Sequence, residues 1–189
     1  MGCVRMKVEL KRPPWYTVEP TAEAEEALSL LFGVWNEATT RFAAIRAVQT
    51  AKGKISTFGI QKNINEIIDE RFPKNGWEGG NSRYRKGDTW VRLTFRHQMS
   101  LGTEFFDVIK MTGKEGIKQS LLLAASGEFL KVISPRDAGS LTSFEKLSQE
   151  MVYLAGTTEI PLILGKLSPV SALSTSTHEL VYGPRLKGE

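Results

Sequence analysis

At 189 residues the chain has the length of one domain with a sizeable core, since domains usually run to roughly 100 to 200 residues. Hydrophobic residues at 41% and charged residues at 24% exclude the low-hydrophobicity, high-charge composition of disorder. The net charge of +4 is a mild pointer to an anionic partner, and its distribution says more: Arg83, Arg85, Lys86, Arg92 and Arg96 against Asp88 place the whole excess between Ser82 and His97.

The single cysteine, Cys3, allows no intrachain disulfide and no Cys-based zinc site, which fits a reducing cytoplasm. The two histidines, His97 and His178, lie too far apart for metal-ligand spacing, so no metal is expected on this basis. No apolar run approaches the ~20 residues of a membrane span, and neither a signal peptide nor a membrane anchor is expected.

In chain order, Pro13, Pro14 and Pro20 around Trp15 and Tyr16 predict an extended arm over residues 1–20, with a short strand at Met6 to Leu10 and the aromatics packed on the body. From Thr21 to about Gln49, Leu28, Leu31, Phe32, Trp35, Phe42 and Ile45 recur at helical spacing, with a break expected near Gly33 or Thr39. A loop at Lys52 to Thr57 precedes a second helix from Gly59 to Phe72, apolar through Ile60, Ile64, Ile67, Ile68 and Phe72, polar through Glu66, Asp69 and Glu70, and ended by Pro73. Gly76, Gly79 and Gly80 mark a flexible turn around Trp77, and the alternation from Asp88 to His97 predicts a half-buried strand. Arg92, Thr94 and Arg96 would share its polar face.

A short helix from Thr103 to Met111 carries Phe105, Phe106, Val108 and Ile109, and Ile117 to Ala125 reads as a strand buried on both faces. Thr142-Ser143-Phe144-Glu145 has the form of a capping box opening a helix through Leu147, Met151 and Leu154, and Ile160 to Gly165 is the last apolar strand. Strand, helix, strand over this span predicts a right-handed crossover in a mixed or parallel sheet. Residues 21–167 thus form one α/β domain, and residues 168–189, rich in Ser, Thr, Pro and Gly, form a C-terminal tail.

The Walker loop, the Gly-x-Ser-x-Gly elbow and the His-Glu-x-x-His motif are absent. Glu9-Leu10-Lys11 has the Glu-x-Lys form found at Mg²⁺ sites of nucleases, but the tripeptide is common and precedes every core element. Trp77 and Trp90 are of a type that stacks on bases, yet their setting favours core or rim positions. Lys110, Lys114 and Lys118 either extend the basic surface or only solubilise it.

A more specific resemblance lies in pattern and spacing. The helix Ile64-Asn65-Glu66-Ile67-Ile68-Asp69-Glu70-Arg71-Phe72 running into Gly76-Trp77, the strand Asp88 to Phe95, Gly116-Ile117-Lys118 into Leu121-Leu122-Leu123, the helix from Ser143 to Met151 and the strand Ile160 to Leu164 carry it, over about residues 60–166. In this order the chain resembles the restriction-endonuclease-like PD-(D/E)XK fold, and within it restriction endonucleases of the BglII and BstYI type. The resemblance implies a mixed sheet flanked by helices.

In that family two carboxylates nine residues apart hold Mg²⁺, and a third residue two positions after the second helps orient the attacking water. The matching positions here are Arg83, Arg92 and Thr94. The resemblance therefore implies a nucleic-acid-binding protein, with DNA as ligand and no cofactor, in which Arg83, Arg85, Lys86, Arg92, Thr94, Arg96 and His97 contact phosphates within a homodimer or a nucleoprotein complex. An enzymatic alternative keeps Mg²⁺ and takes Glu66, Glu78, Asp88 and Glu104 as its carboxylates, making the chain a DNA endonuclease. A third alternative is a protein-interaction scaffold.

Overall fold

A computed structural model describes residues 6–11, 19–53, 59–154 and 161–169. Six strands form one mixed sheet in the order β1-β6-β5-β4-β3-β2. Their ranges are β1 Met6–Lys11, β2 Glu78–Gly80, β3 Arg83–Lys86, β4 Thr89–Thr94, β5 Gln119–Ala125 and β6 Leu162–Pro169. β4, β5 and β6 run parallel, whereas β1 pairs antiparallel with β6 and β2, β3 and β4 form two successive antiparallel hairpins. Among the described residues six α-helices flank it: α1 Ala22–Leu30, α2 Val34–Ala51, α3 Gln61–Lys74, α4 Leu101–Glu115, α5 Gly127–Ile133 and α6 Phe144–Leu154. This is the helix-flanked mixed sheet expected from the sequence.

The sheet is covered on both faces, and its central strands offer buried side chains to different helices on each. Val91, Leu93 and Phe95 join Leu121, Leu123 and Ile163 in a core with Trp35, Ile64, Ile68 and Phe129 of α2, α3 and α5. Trp90, Leu122 and Leu164 join a second core with Phe105 and Val108 of α4 and Leu147 of α6.

The long first helix breaks at Gly33, as the sequence suggested: its φ of +75° is a left-handed conformation that most side chains resist. Thr21 caps α1 by accepting from the Ala24 amide at 3.1 Å and meets the Thr89 hydroxyl at 2.8 Å, tying the helix start to the sheet. Arg71 of α3 donates to the carbonyls of Leu30 and Phe32 at 3.0 and 2.6 Å and to Glu37 at 2.7 Å, closing the C-terminal end of α1 onto α2 and α3.

Several expectations are corrected. β4 is not half-buried, since all six of its residues lie below the surface. Phe32, Ile45 and Phe106 point outward, with Phe106 72% exposed. Pro73 lies inside the last turn of α3 instead of ending it: its rigid φ suits a helix, and the cost is the one hydrogen bond it cannot donate to the preceding turn. The cap of α6 is Ser143, which accepts from the Lys146 amide at 3.3 Å, while Glu145 instead accepts from the Gly127 amide at 3.0 Å. Trp77 and Trp90, by contrast, are core residues as the sequence favoured, 2% and 3% exposed, so neither offers a face to a base.

Trp15, Tyr16, most of the 168–189 tail, Cys3 and His178 lie outside the described residues. Among the described residues no helix is long and apolar enough to cross a membrane.

The two-residue turn between β2 and β3 is built by Asn81 and Ser82, both with positive φ (53° and 62°), which is what a type I′ hairpin turn requires. Gly79 precedes it at φ +114°, where an added Cβ would come 2.2 Å from the Arg83 carbonyl oxygen. Gly79→Ala is therefore expected to destabilise the protein by about 1 to 3 kcal/mol in urea unfolding. By contrast Gly113→Ala, in α4 with open space around it, is expected to stabilise by up to about 1 kcal/mol.

Candidate nucleic-acid interface

Arg83 and Arg92, the two matched carboxylate positions, are direct cross-strand partners in the β3/β4 hairpin, so they stand side by side on one face of the sheet. α4 packs over that face and meets them with Glu104 and Asp107, three residues apart on the same helical side. Arg92 donates from Nε to Glu104 Oε2 at 2.7 Å and from Nη2 to Oε1 at 3.1 Å. Its remaining amino group donates to the Asn81 carbonyl at 3.0 Å, and the Thr94 hydroxyl donates to Glu104 at 3.2 Å. Arg92 is 4% exposed and Glu104 not at all. Together with Thr94, this two-pronged pair fills three of the roughly four lone-pair sites of the carboxylate.

The rest of the basic stretch is likewise partnered. Arg83 donates to Asp107 at 2.6 Å. Arg85 meets Glu115 at 3.2 Å and also its carbonyl at 3.1 Å, closing the C-terminal end of α4. Lys86 contacts Glu26 at 2.7 Å and the Asn75 carbonyl at 3.0 Å, closing the end of α3. The charge that is concentrated in the sequence is therefore spread over carboxylates of α1 and α4, and the expectation of an open polar strand face carrying Arg92, Thr94 and Arg96 does not hold. Arg96 differs: it follows β4, its side chain is 46% exposed, and its nearest carboxylate, Glu104, is 3.7 Å away. His97 beside it is exposed.

The four alternative carboxylates do not converge. Glu66 is on the outer side of α3, 3.7 Å from Lys62. Glu78 is exposed on the edge strand β2, opposite Arg85. Asp88 lies in the β3–β4 turn, where a hydrogen bond from Lys118 at 2.6 Å holds its carboxyl below the ordinary range. Glu104 is buried under Arg92. Among the described residues no group of three His, Cys, Asp or Glu side chains is placed to hold a metal. A guanidinium cannot ligate a cation, and Glu104 is buried and engaged by Arg92 and Thr94, so the residues present do not fit the Mg²⁺ of the resembled family. Glu9, in the Glu-x-Lys tripeptide, pairs with Lys7 at 2.5 Å, which lowers its pKa, and stands on the outermost strand β1.

The structure adds a feature absent from the sequence-based reading, a pocket of about 340 Å³ at the carboxyl end of β4, roofed by the β2–β3 turn. Arg83, Arg92 and Arg96 reach it from one side. Gln61, Asn65 and Asp69 of α3 line the other, spaced one helical turn apart. Asp69 accepts from the Ser82 amide at 3.3 Å and from the Tyr84 hydroxyl, and burial together with that bond pushes the Tyr84 pKa up. Of the acidic α3 face expected to be solvated, Glu66 and Glu70 do face outward, while Asp69 turns to the sheet. The signal for this wall was present as the polar stripe at 61, 65 and 69 beside the isoleucine face.

Removing one partner of the buried pair strands the other charge, so Arg92→Met is expected to cost about 3 to 5 kcal/mol, while the double variant Arg92→Met, Glu104→Met recovers most of it. A double-mutant cycle in denaturant measures both.

No protein-family profile and no curated protein sequence matches the chain. Among solved structures it is similar to the restriction endonuclease BglII complexed with a DNA 16-mer, at 15% identity and a TM-score of 0.44 over 54% of this chain. The match covers 52% of that enzyme, so the chain aligns with about half the length of its neighbour.

Proposed function

We propose that the protein binds nucleic acid, with duplex DNA as ligand, through phosphate contacts at the carboxyl end of β4, and that it does not cleave what it binds. The observation that carries this reading is the convergence of Arg83, Arg92 and Arg96 on one pocket. Arg83 and Arg96 are 44% and 46% exposed, and each retains N–H donors that no described residue takes up. Guanidinium matches phosphate oxygens with parallel hydrogen bonds and needs no metal. Arg92 acts one step back, holding the Asn81 carbonyl and hence the turn that roofs the pocket. Arg85 and Lys86, engaged as helix-end partners, and Thr94, engaged with Glu104, contribute to the scaffold. His97, exposed next to Arg96, extends the contact.

The non-cleaving part of the proposal follows from the side chains at the positions that hold metal in the resembled family, Arg83, Arg92 and Thr94. We take the working form to be a homodimer or a subunit of a nucleoprotein complex in the cytoplasm, as the resemblance and the single cysteine imply.

Internal pairing also sets the salt response. Cations tied to helix ends or buried against Glu104 reach no phosphate, so the two half-exposed contacts per chain, Arg83 and Arg96, should give a slope of log K against log salt near −2. Fluorescence anisotropy with a labelled duplex is expected to register a roughly tenfold loss of affinity per chain between about 50 and about 200 mM salt. Arg83→Glu and Arg96→Glu should each abolish binding; affinity that survives both would refute the reading. Plasmid DNA incubated with Mg²⁺ or Mn²⁺ is expected to stay intact, and cutting that is lost in Glu104→Ala or Asp88→Ala would restore the endonuclease alternative.

A further inference from the structure

Two sides of α4 are committed to the molecule and a third is not. Glu104 and Asp107 meet the arginines of β3 and β4, and Phe105 and Val108 enter the second core. The outward side is apolar, where a helix facing solvent ordinarily carries charge. Along it run Gly102, Phe106, Ile109 and Gly113, at spacings of four, three and four that keep them in a single stripe. Phe106 is 72% exposed, Ile109 37%, and Met99, three residues ahead of Gly102, 95%. An added Cβ at Gly102 or at Gly113 would meet nothing within 4 Å, so both ends of the stripe are open.

We infer that this stripe is the contact surface for a second copy of the chain, with the two α4 helices packed antiparallel about a two-fold axis between Asp107 and Val108. A two-fold contact needs a patch that complements itself, residue i meeting j and j meeting i. The spacing supplies this, because it reads the same in both directions. Reversing one helix sets Phe106 of one copy opposite Ile109 of the other, and Gly102 opposite Gly113, where the glycines let the backbones approach.

Charge decides the direction. A parallel pair would set Lys110, exposed on the flank of the stripe, beside its own copy. The antiparallel pair sets it beside Thr103 of the other copy and opposes the two helix dipoles. The stripe itself carries no acid or base, which suits the centre of an interface and gives a charged partner nothing to recognise.

The area fits a modest dimer. At roughly 200 Å² for a fully exposed large side chain, Met99, Phe106 and Ile109 present about 400 Å², within the ~300 to 600 Å² of the largest patch on a typical monomer. Two copies, with Thr103 and the Lys110 stem at the rim, reach roughly 1,000 Å², the lower bound of a specific interface. Dissociation in the micromolar range follows. The inference deepens the dimeric form taken above, and it is independent of nucleic acid because association is read without any ligand.

Sedimentation velocity from low to high micromolar concentration is expected to show a monomer–dimer equilibrium. A chain that stays monomeric throughout, or one that builds open-ended oligomers, overturns the proposal. Phe106→Glu is expected to weaken association at least about tenfold, since each symmetric contact would bury an unpaired charge. Val48→Glu, at an apolar site on α2 that is 55% exposed, should leave it unchanged; the reverse ranking would move the contact to α2 and sink the assignment. Both sites are on the surface, and unfolding midpoints in dilute solution check that both variants fold. In a Cys3→Ser background, Gly102→Cys protein is then mixed with Gly113→Cys protein. The antiparallel pair brings the unlike thiols together and keeps like thiols about 16 Å apart along the helix. A thiol cross-linker shorter than that should join the mixture and neither variant alone, and linkage of Gly102→Cys to itself would overturn the arrangement. If the chain dimerises in this way and binds no duplex, the surface assignment stands and the nucleic-acid reading fails. If a wholly monomeric chain binds duplex, the outcome is the reverse.

Discussion

The buried ion pair between Arg92 and Glu104 is the constraint around which the candidate site is arranged. Two full charges removed from water are tolerable only when geometry is good and the remaining hydrogen-bonding capacity is filled, and here both conditions hold through Thr94 and the Asn81 carbonyl. The pair fixes three things together: the packing of α4 on the sheet, the position of the β2–β3 turn, and the sign of the charge presented at the end of β4. A metal-dependent site would need carboxylates on the strands and a cation between them. Here the strands carry the cations and the helix the carboxylates, so the same surface is locked without any ion.

This exchange explains why a strongly basic segment yields so little free positive surface. Each of its early cations is matched by an acid from another part of the chain: Glu26 reaches Lys86, Asp107 reaches Arg83 and Glu115 reaches Arg85. Exposed pairs of this sort add little stability each, typically below about 1 kcal/mol, but they direct the helices onto the sheet and cancel its field. What remains for a ligand is hydrogen-bond geometry more than net charge. That favours a small, specific contact over broad electrostatic adhesion.

Much of the fold was legible. The isoleucines of α3 sit at helical spacing and all lie in the core, and the Leu121 to Leu123 run is a strand buried on both faces, because periodicity and hydrophobicity report burial directly. The short elements were not: α5, only seven residues of which four are buried, is shorter than the window in which helical periodicity can be seen, and β3 reads as a charged tetrapeptide until its hairpin partner is known. Asn81-Ser82 was the available hint, a two-residue turn signal next to Gly79 and Gly80. The site was legible in position, since Arg83 and Arg92 do stand together, but not in state. Whether a basic side chain is free or paired depends on acids up to 60 residues away, and neither alternation nor local charge carries that information.

The edge strand β1 has a consequence of another kind. Through it, the first described segment of the chain pairs with the last, Lys11 facing Leu164 and Met6 facing Pro169. Without it β6, with Leu162, Ile163, Leu164 and Leu167 all buried, would present an open row of backbone donors and acceptors flanked by apolar side chains, the template on which sheets of different molecules join. β1 presents instead Lys7, Glu9 and Lys11 to solvent, with Val8 and Leu10 packed against the core. Six residues at the margin thus guard the molecule against self-association by its own sheet, and proteolytic nicking ahead of α1 would cost solubility well before it cost the site.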